Sequence, residues 1–300
     1  MWEPDPEWHP LPGGMSPATL GVWRTAIGDR PVVIKRLVRP TPSDPEAYSD
    51  PQHFAYWRRE ADIALAGVVL DTEGVRGPRA VAEEDPDGIT ITADYVEDAA
   101  SNGLFIAHGL GRFTHNDLRH VRHLARHELR DRVQRVEGRG GWPTLARTRA
   151  GEITEPLWAR RADLIAESEA APQVPLHGDP TPGNMRGREG DDVIAVDWST
   201  VGYGPIGFDL GLYALGAREA FGPLLEAYTL GAAASHEAGT IRFGAAVAAA
   251  FTAITRAEWT LSRAGAGADP VEGTFRHPAV APQLRALQRV ADQIDWLLLR

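Results

Sequence analysis

The chain has 300 residues, of which 43% are apolar and 24% charged, as expected for a globular protein with two domains or one two-lobed core. Its formal net charge of -10 argues against a general nucleic-acid-binding protein, and the absence of cysteine excludes disulfides, thiolate metal sites and cysteine nucleophiles. The N-terminus is acidic and proline-rich, and the apolar run near residue 250 is short and alanine-rich, so we expect a cytoplasmic protein with no membrane partner.

The first hundred residues show a strand pattern that is interrupted by one helix. Thr19–Ile27 and residues 32–37 are rich in β-branched and aromatic side chains and are joined by Gly-Asp, which predicts a β-hairpin. A second pair of runs, residues 80–83 and 89–96, flanks the turn sequence Asp-Pro-Asp-Gly. These two pairs predict an N-terminal antiparallel sheet.

The helix predicted between the two strand pairs begins at the sequence SDPQHF. Ser49 or Asp50 can cap its first turn, and Pro51 suits its first position. Apolar side chains then recur every three or four residues, through Trp57 and beyond. Glu60 falls on this apolar stripe, where an unpaired carboxylate is costly to bury. The pattern therefore predicts a cation close to Glu60.

Lys35 is the only lysine among the 31 lysine and arginine residues of the chain. On the predicted strand it shares a face with Val33, opposite Val32 and Ile34. A lysine ammonium is a compact point charge, which a planar guanidinium does not mimic. We therefore interpret Lys35 as a functional position, with chance survival of one lysine as the alternative.

After residues 96–100, where we place a domain boundary, the pattern becomes mainly helical. We predict helices over residues 116–136 and 156–170, and short strands near residues 174–176 and 193–196. Acidic residues interleave with the arginines of the first helix, which favours a solvated face over a phosphate-binding patch. No acidic ligand set accompanies its histidines, so we predict no metal site there.

Two stretches of the second region carry a chemical pattern, LHGDPTPGNM at residues 176–185 and VIAVDW at residues 193–198. The first places Asp179 and Asn184 five residues apart on a loop shaped by glycine and proline, and Asp197 follows the second strand. Carboxylate and amide oxygens on adjacent loops suit Mg²⁺, which keeps several waters and phosphate oxygens in its coordination sphere. Such a set, with one acid left for an acceptor hydroxyl, is typical of phosphoryl transfer.

The ordered motifs resemble those of the aminoglycoside phosphotransferase and choline kinase superfamily. In that superfamily the catalytic loop reads HGDxxxxN, and the metal loop reads I/V-D-W followed by GxxxxDL. This chain has HGDPTPGN, VDW and GPIGFDL, whereas protein kinases have HRD and DFG. Near the N-terminus, GGMSPATLGVW resembles the nucleotide loop of aminoglycoside 3'-phosphotransferases, so the resemblance spans residues 13–210.

The resemblance implies an α+β fold, namely the protein-kinase-like two-lobed fold. An N-terminal antiparallel sheet with one helix would form a nucleotide-binding lobe over residues 1–97. A mainly helical lobe over residues 98–300 would hold the catalytic and substrate-binding residues.

The resemblance also implies a role for each matching residue. Asp179 would orient or deprotonate the acceptor hydroxyl, and Asn184 and Asp197 would hold Mg²⁺ on the nucleotide phosphates. Lys35, positioned by Glu60, would contact the α- and β-phosphates.

Further nucleotide contacts are implied in the first lobe. Backbone N–H groups of Gly14, Met15 and Ser16 would close over the phosphates, and the Ser16 hydroxyl could bond one directly, with a simple turn before proline as its alternative role. Asp94 to Val96 would present their backbone to the edge of the adenine ring.

Three other residues of the motifs are interpreted as structural. His177 and Asp209 would brace the catalytic loop by hydrogen bonds, and Trp198 would pack beside it.

The implied function is a small-molecule kinase that uses ATP or GTP and a polar acceptor. Aminoglycosides, and with them antibiotic resistance, come first because of the nucleotide loop and the acidic chain. The C-terminus DQIDWLLLR departs from the acidic, aromatic end of many aminoglycoside enzymes, so a macrolide, sugar, amino alcohol or natural-product intermediate stays open. A nucleotide-binding pseudokinase is the competing class.

Overall fold

The structure is a computed structural model. It describes residues 2–12, 18–99, 101–141, 149–233, 235–265 and 281–300.

The N-terminal part forms one antiparallel sheet of five strands in the order β1-β2-β3-β6-β5. Both predicted hairpins are confirmed, with β2 and β3 joined at Gly28 and β5 and β6 joined at residues 86–87. The strands of this sheet are β1 (His9–Pro10), β2 (Thr19–Ile27), β3 (Arg30–Val38), β5 (Ala80–Asp85) and β6 (Gly88–Asp94).

The helix of this region, α1 (Arg59–Ala66), begins later than predicted. Residues 51–58 form successive turns instead, although their sequence carries helix-start signals. The buried guanidinium of Arg59 accounts for the difference, because it donates hydrogen bonds to the carbonyl oxygens of Pro51, His53 and Phe54. This stretch makes short turns in place of helical hydrogen bonds, for example from the N–H of Tyr56 to the carbonyl oxygen of His53, so the prediction of a helix start at Ser49 was wrong.

Two small sheets follow in the chain, one of three strands in the order β4-β9-β8 and one that pairs β10 with β7. They confirm the short strands predicted around the two motifs. Their bounds are β4 (Val75–Arg76), β7 (Gln173–Leu176), β8 (Met185–Glu189), β9 (Asp192–Ala195) and β10 (Gly202–Pro205).

The rest of the described chain is mainly helical, as predicted. The helices are α2 (Gly103–Phe113), α3 (Glu128–Gly138), α4 (Arg149–Ala159), α5 (Arg161–Glu169), α6 (Phe208–Ala214), α7 (Phe221–Gly231), α8 (Ala238–Gly265), α9 (Ala281–Arg289) and α10 (Ala291–Leu299).

The single helix predicted over residues 116–136 was wrong, because helical structure begins only at α3. Ala125 donates its N–H to Val201 and its carbonyl accepts from Tyr203, which ties this stretch to β10. His123 and His127 have positive φ angles of 63° and 54°, which right-handed helix excludes. The helix predicted over residues 156–170 is likewise divided, into α4 and α5.

Helix α8 is the centre of the helical region. Its segment Ala238–Ser262 is long and apolar enough to cross a membrane, but 78% of its most apolar window is buried inside the protein. The argument that this run is too short for a bilayer was therefore wrong, and burial in the core explains its apolar composition instead. Helix α6 packs against it so closely that a Cβ on Gly211 would lie 2.3 Å from the carbonyl oxygen of Ala245.

Candidate active site

The loop that carries Asp179 and Asn184 follows β7, and Asp209 holds its first residues by hydrogen bonds. The two carboxylate oxygens of Asp209 accept the backbone N–H groups of His177, at 2.7 Å, and Gly178, at 3.0 Å. Burial raises the pKa of Asp209 to about 7, against the effect of these two hydrogen bonds. Gly178 has a φ of 88°, and a Cβ there would lie 2.3 Å from the carbonyl oxygen of Thr200. Only glycine fits this turn.

The same loop brings Asp179 and Asn184 together. The Asn184 amide donates to the backbone carbonyl of Asp179 at 2.8 Å, and its nitrogen lies 3.5 Å from the Asp179 carboxylate. Because the amide nitrogen is engaged in the loop, the amide oxygen of Asn184 is left to accept or to coordinate.

Asp197 follows β9 in a left-handed conformation, with φ 63° and ψ 67°. Few residues other than glycine adopt this conformation, and aspartate is among those that tolerate it best. One carboxylate oxygen accepts from the Lys35 ammonium at 2.9 Å, and the ammonium also donates to Glu60 at 2.5 Å. The ion pair predicted between strand β3 and helix α1 is therefore formed, and it extends to the metal-loop aspartate.

Burial and charge act in opposite directions on the pKa values of this cluster. Burial by itself lowers the pKa of Lys35, but the carboxylates of Asp197 and Glu60 outweigh it and raise the pKa above its ordinary value. Burial raises the pKa of Glu60 in spite of Lys35, whereas Lys35 holds the pKa of Asp197 below its ordinary value against the effect of burial. The cluster thus keeps its ammonium charged at neutral pH.

These residues line a cleft between the N-terminal sheet and the motif loops. The cleft contains about 1170 Å³ of space not filled by protein atoms, and Lys35, Glu60, Asn184 and Asp197 are on its walls. The segment from Asp94 to Val96 also lines the cleft. The predicted phosphate loop of Gly14, Met15 and Ser16 lies outside the described residues, although Leu11 and Pro12 before it line the cleft.

The remaining structural predictions for the motifs are confirmed by contacts. His177 lies within 3.1 Å of the carbonyl of Val196, and its ring stands 4.6 Å from that of Trp198. The Trp198 indole donates to Ala195 and is buried. Both side chains join the two motif loops to each other.

A second cavity, which Asp179 lines, contains about 1010 Å³ of space not filled by protein atoms. Asp179 and Asp197 line it together with four arginines, namely Arg132, Arg135, Arg139 and Arg256. The Arg256 guanidinium donates to the carboxylate of Asp179 at 2.5 Å.

A known family pattern covers most of the chain, including these motifs. Residues 8–241 match the family described as "Phosphotransferase enzyme family". The chain belongs to this family. It is a phosphotransferase that acts on hydroxyl groups, and the matched residues include HGDPTPGN, VDW and GPIGFDL. Comparison with curated protein sequences finds no match.

Solved structures of other phosphotransferases share the fold. A choline kinase from Streptococcus pneumoniae has a TM-score of 0.57 at 13% identity, over 95% of this chain and 94% of that one. An aminoglycoside phosphotransferase from Streptomyces rimosus, in complex with ADP and streptomycin, has a TM-score of 0.54 at 19% identity, over 81% and 92% of the chains. A macrolide 2'-phosphotransferase from Brachybacterium faecium has a TM-score of 0.53 at 17% identity, over 92% of this chain and 91% of that one. The protein-kinase-like two-lobed fold predicted from the sequence is confirmed.

The arginines of the second cavity were missed by sequence reasoning. Arg132 and Arg135 were interpreted as part of a solvated helix face, yet both are half-buried and face the cavity, so that interpretation was wrong for them. Arg256 stands in α8 after thirteen consecutive uncharged residues. A single cation after so long an apolar run could have marked Arg256 as a functional residue. The generic helical pattern around it hid this signal.

Proposed function

We propose that this phosphotransferase transfers the γ-phosphoryl group of ATP, or of GTP, to a hydroxyl group of a polar small molecule. One observation carries the proposal, namely that Lys35, Glu60, Asn184 and Asp197 line the cleft, whereas Asp179 lines a second cavity that shares Asp197 with the cleft. A nucleotide in the cleft would direct its terminal phosphate towards Asp179 and an acceptor in the second cavity.

Each residue then has one task. Lys35, held by Glu60, binds the α- and β-phosphates, and the backbone from Asp94 to Val96 binds the adenine. Asp179 accepts a hydrogen bond from the acceptor hydroxyl and turns it towards the phosphorus, where positioning matters more than basicity because the transition state is loose. Gly14, Met15 and Ser16 close over the phosphates.

The donor set fits a magnesium ion that is shared with the nucleotide. Among the described residues no group of three or more histidines and acids could hold a metal by itself. Two oxygen donors on one wall of the cleft, from Asn184 and Asp197, are what Mg²⁺ needs when phosphate oxygens and waters complete its coordination. When bound, Mg²⁺ would neutralise charge that develops on the phosphates, and this chain's contribution is to hold those two donors still.

Residues 1–97 form the nucleotide-binding lobe and residues 98–300 the catalytic and acceptor-binding lobe in this proposal, and the protein acts in the cytoplasm. The similar structures include a choline kinase, an aminoglycoside phosphotransferase with bound streptomycin and a macrolide phosphotransferase, and they support this class of reaction. An antibiotic is therefore one class of acceptor to test. A pseudokinase that binds nucleotide without transfer is the competing proposal, and the presence of Asp179, Asn184, Asp197 and Lys35 weighs against it.

Labelled phosphate transfer tests the proposal. The protein is incubated with Mg²⁺ and ATP or GTP labelled in the γ-phosphate, against aminoglycoside, macrolide, amino alcohol, sugar and hydroxy acid acceptors. We expect transfer to at least one acceptor and none when Mg²⁺ is chelated. Nucleotide binding without transfer to any class would favour the pseudokinase instead.

A further inference from the structure

The second cavity has an unusual charge for a chain as acidic as this one. Of the charged side chains that line it, four are arginines and two are aspartates, although the chain as a whole carries a formal net charge of -10. Aromatic rings of Phe54, Tyr56 and Trp259 complete its walls. Arginine concentrated in one cavity of an acidic protein is not explained by composition.

Three of the four arginines already have acidic partners. Arg132 donates to Glu128 at 2.6 Å and 2.9 Å, Arg139 pairs with Glu258, and Arg256 pairs with Asp179. The second aspartate of the cavity, Asp197, is turned to Lys35. These pairs neutralise one another and hold the cavity wall in place.

Arg135 is different, because no acceptor lies within hydrogen-bonding distance of its guanidinium in the part of the chain that the structure describes. It is half-buried, and its guanidinium lies over the rings of Phe54, at 4.8 Å, and Tyr48, at 5.9 Å. The neighbouring carboxylate of Asp131 accepts the backbone N–H of Phe54 instead. Burial and Arg135 itself lower the pKa of His53, on the same side, to about 4, so this imidazole adds no charge.

We propose that the acceptor carries a carboxylate or phosphate group besides its reacting hydroxyl, and that Arg135 binds this anionic group in the second cavity. The inference rests on the proposed function, since it takes this cavity as the acceptor site. A guanidinium that lines the cavity, lies over aromatic rings and has no hydrogen-bond acceptor among the described residues suits an oxyanion with two oxygens. A polycationic aminoglycoside would instead bring ammonium groups next to an unpaired arginine.

Matched acceptors that differ only in charge test this inference. One series is glycerate, glyceramide and aminopropanediol, and another is the para-hydroxymethyl derivatives of benzoate, benzamide and benzylamine. Binding is measured by calorimetry with ADP and Mg²⁺ present, and turnover by release of ADP from ATP. We expect the carboxylates to bind about tenfold or more tighter than the amines, because a charge-assisted pair replaces a repulsion.

Variants of helix α3 assign the effect to one residue. Arg135→Gln should remove most of the preference for the carboxylate, and Arg135→Lys should retain part of it because the charge remains. Arg130→Gln is the matched control on the same helix, since Arg130 is exposed and pairs with Glu169 away from the cavity. Thermal unfolding of each variant accounts for any loss of folded protein.

Two results would overturn the inference. One is a wild-type protein that does not bind the carboxylates more tightly than the amines. The other is an Arg135→Gln variant that loses ATP affinity as much as carboxylate affinity, because Arg135 would then serve the nucleotide. Failure of the proposed function looks different, since phosphate would reach no acceptor at all even if the carboxylates bound through Arg135.

Discussion

At the scale of single residues, Lys35 joins the two halves of the candidate site. Its ammonium lies between a carboxylate from helix α1, Glu60, and one from the metal loop, Asp197. The side chain of Lys35 is 10% exposed, so little room surrounds it. The other 30 residues of the lysine and arginine set are arginines, whose guanidinium is wider and directional.

Lys35→Arg therefore tests whether this position needs an ammonium. We expect kcat/KM to fall by about tenfold or more, because a guanidinium cannot approach both carboxylates and the phosphates with the same geometry. Steady-state kinetics on an acceptor identified by phosphate transfer provides the measurement, with circular dichroism as the check on folding. Equal kcat/KM for Lys35→Arg and the wild type would show that the lone lysine is a compositional accident.

The sequence was informative about Lys35, Glu60, Asp179, Asn184 and Asp197 because each belongs to an ordered motif or breaks a local pattern. Arg135 and Arg256 have neither property in an obvious form. A helix pattern shows which face is apolar, but the partner of a polar side chain depends on which distant element packs there. The second cavity could be found only after α3 and α8 had been placed side by side.

At the scale of elements, the start of helix α1 shows how a tertiary contact overrides a local signal. Arg59 is fully buried, and besides the three carbonyls of residues 51–54 it donates to the carbonyls of His123 and Ser199. One guanidinium thus connects helix α1 to the turn region before it and to two later loops, at His123 and Ser199. No short-range sequence rule includes such a contact.

Arg59→Met should therefore destabilise the protein strongly. We expect the free energy of unfolding to fall by about 3 kcal/mol or more, because five backbone carbonyls lose a charged donor inside the protein. Urea unfolding followed by tryptophan fluorescence measures the change. Arg58→Gln is the matched control, and we expect it to cost about 1 kcal/mol or less because Arg58 makes partly exposed ion pairs. Equal losses in the two variants would contradict the role given to Arg59.

The stretch before α3 differed from prediction for a related reason. Residues 116–127 carry a helix-compatible pattern, but the backbone of Ala125 pairs with the chain at β10, and the N–H of Arg126 is donated to the carbonyl oxygen of Gln52. Hydrophobic periodicity gives no information about this competition between local and long-range hydrogen bonds. The strands were predicted better because the turns that join them contain Gly, Asp and Pro, which are typical turn residues.

At the scale of the whole molecule, the close approach of α6 to α8 connects the motif loops to the core. Asp209, which braces the catalytic loop, lies in α6 two residues before Gly211, and Gly211 lies against the backbone of α8. Arg256 of α8 reaches Asp179 from the other side. A shift between the two helices would therefore move both supports of Asp179.

Gly211→Ala tests this packing. Alanine normally stabilises a helix, but here its Cβ would lie 2.3 Å from the carbonyl oxygen of Ala245, and we expect a loss of about 2 kcal/mol or more. Gly222→Ala in α7 is the matched control, because no atom lies within 4 Å of its Cβ position, and there we expect a gain of up to about 1 kcal/mol. Thermal and urea unfolding compare the two variants. A stabilised Gly211→Ala protein would contradict the close packing of α6 on α8.

The most direct measurement of the central claim is the effect of Asp179→Asn on turnover and on ATP affinity, determined side by side. Turnover is followed with an acceptor that the wild type phosphorylates, and affinity by calorimetry with Mg²⁺. We expect kcat to fall by about 10²- to 10⁴-fold with the dissociation constant of ATP nearly unchanged, since in the proposed function Asp179 positions the hydroxyl and not the nucleotide. Normal turnover by Asp179→Asn would contradict the account.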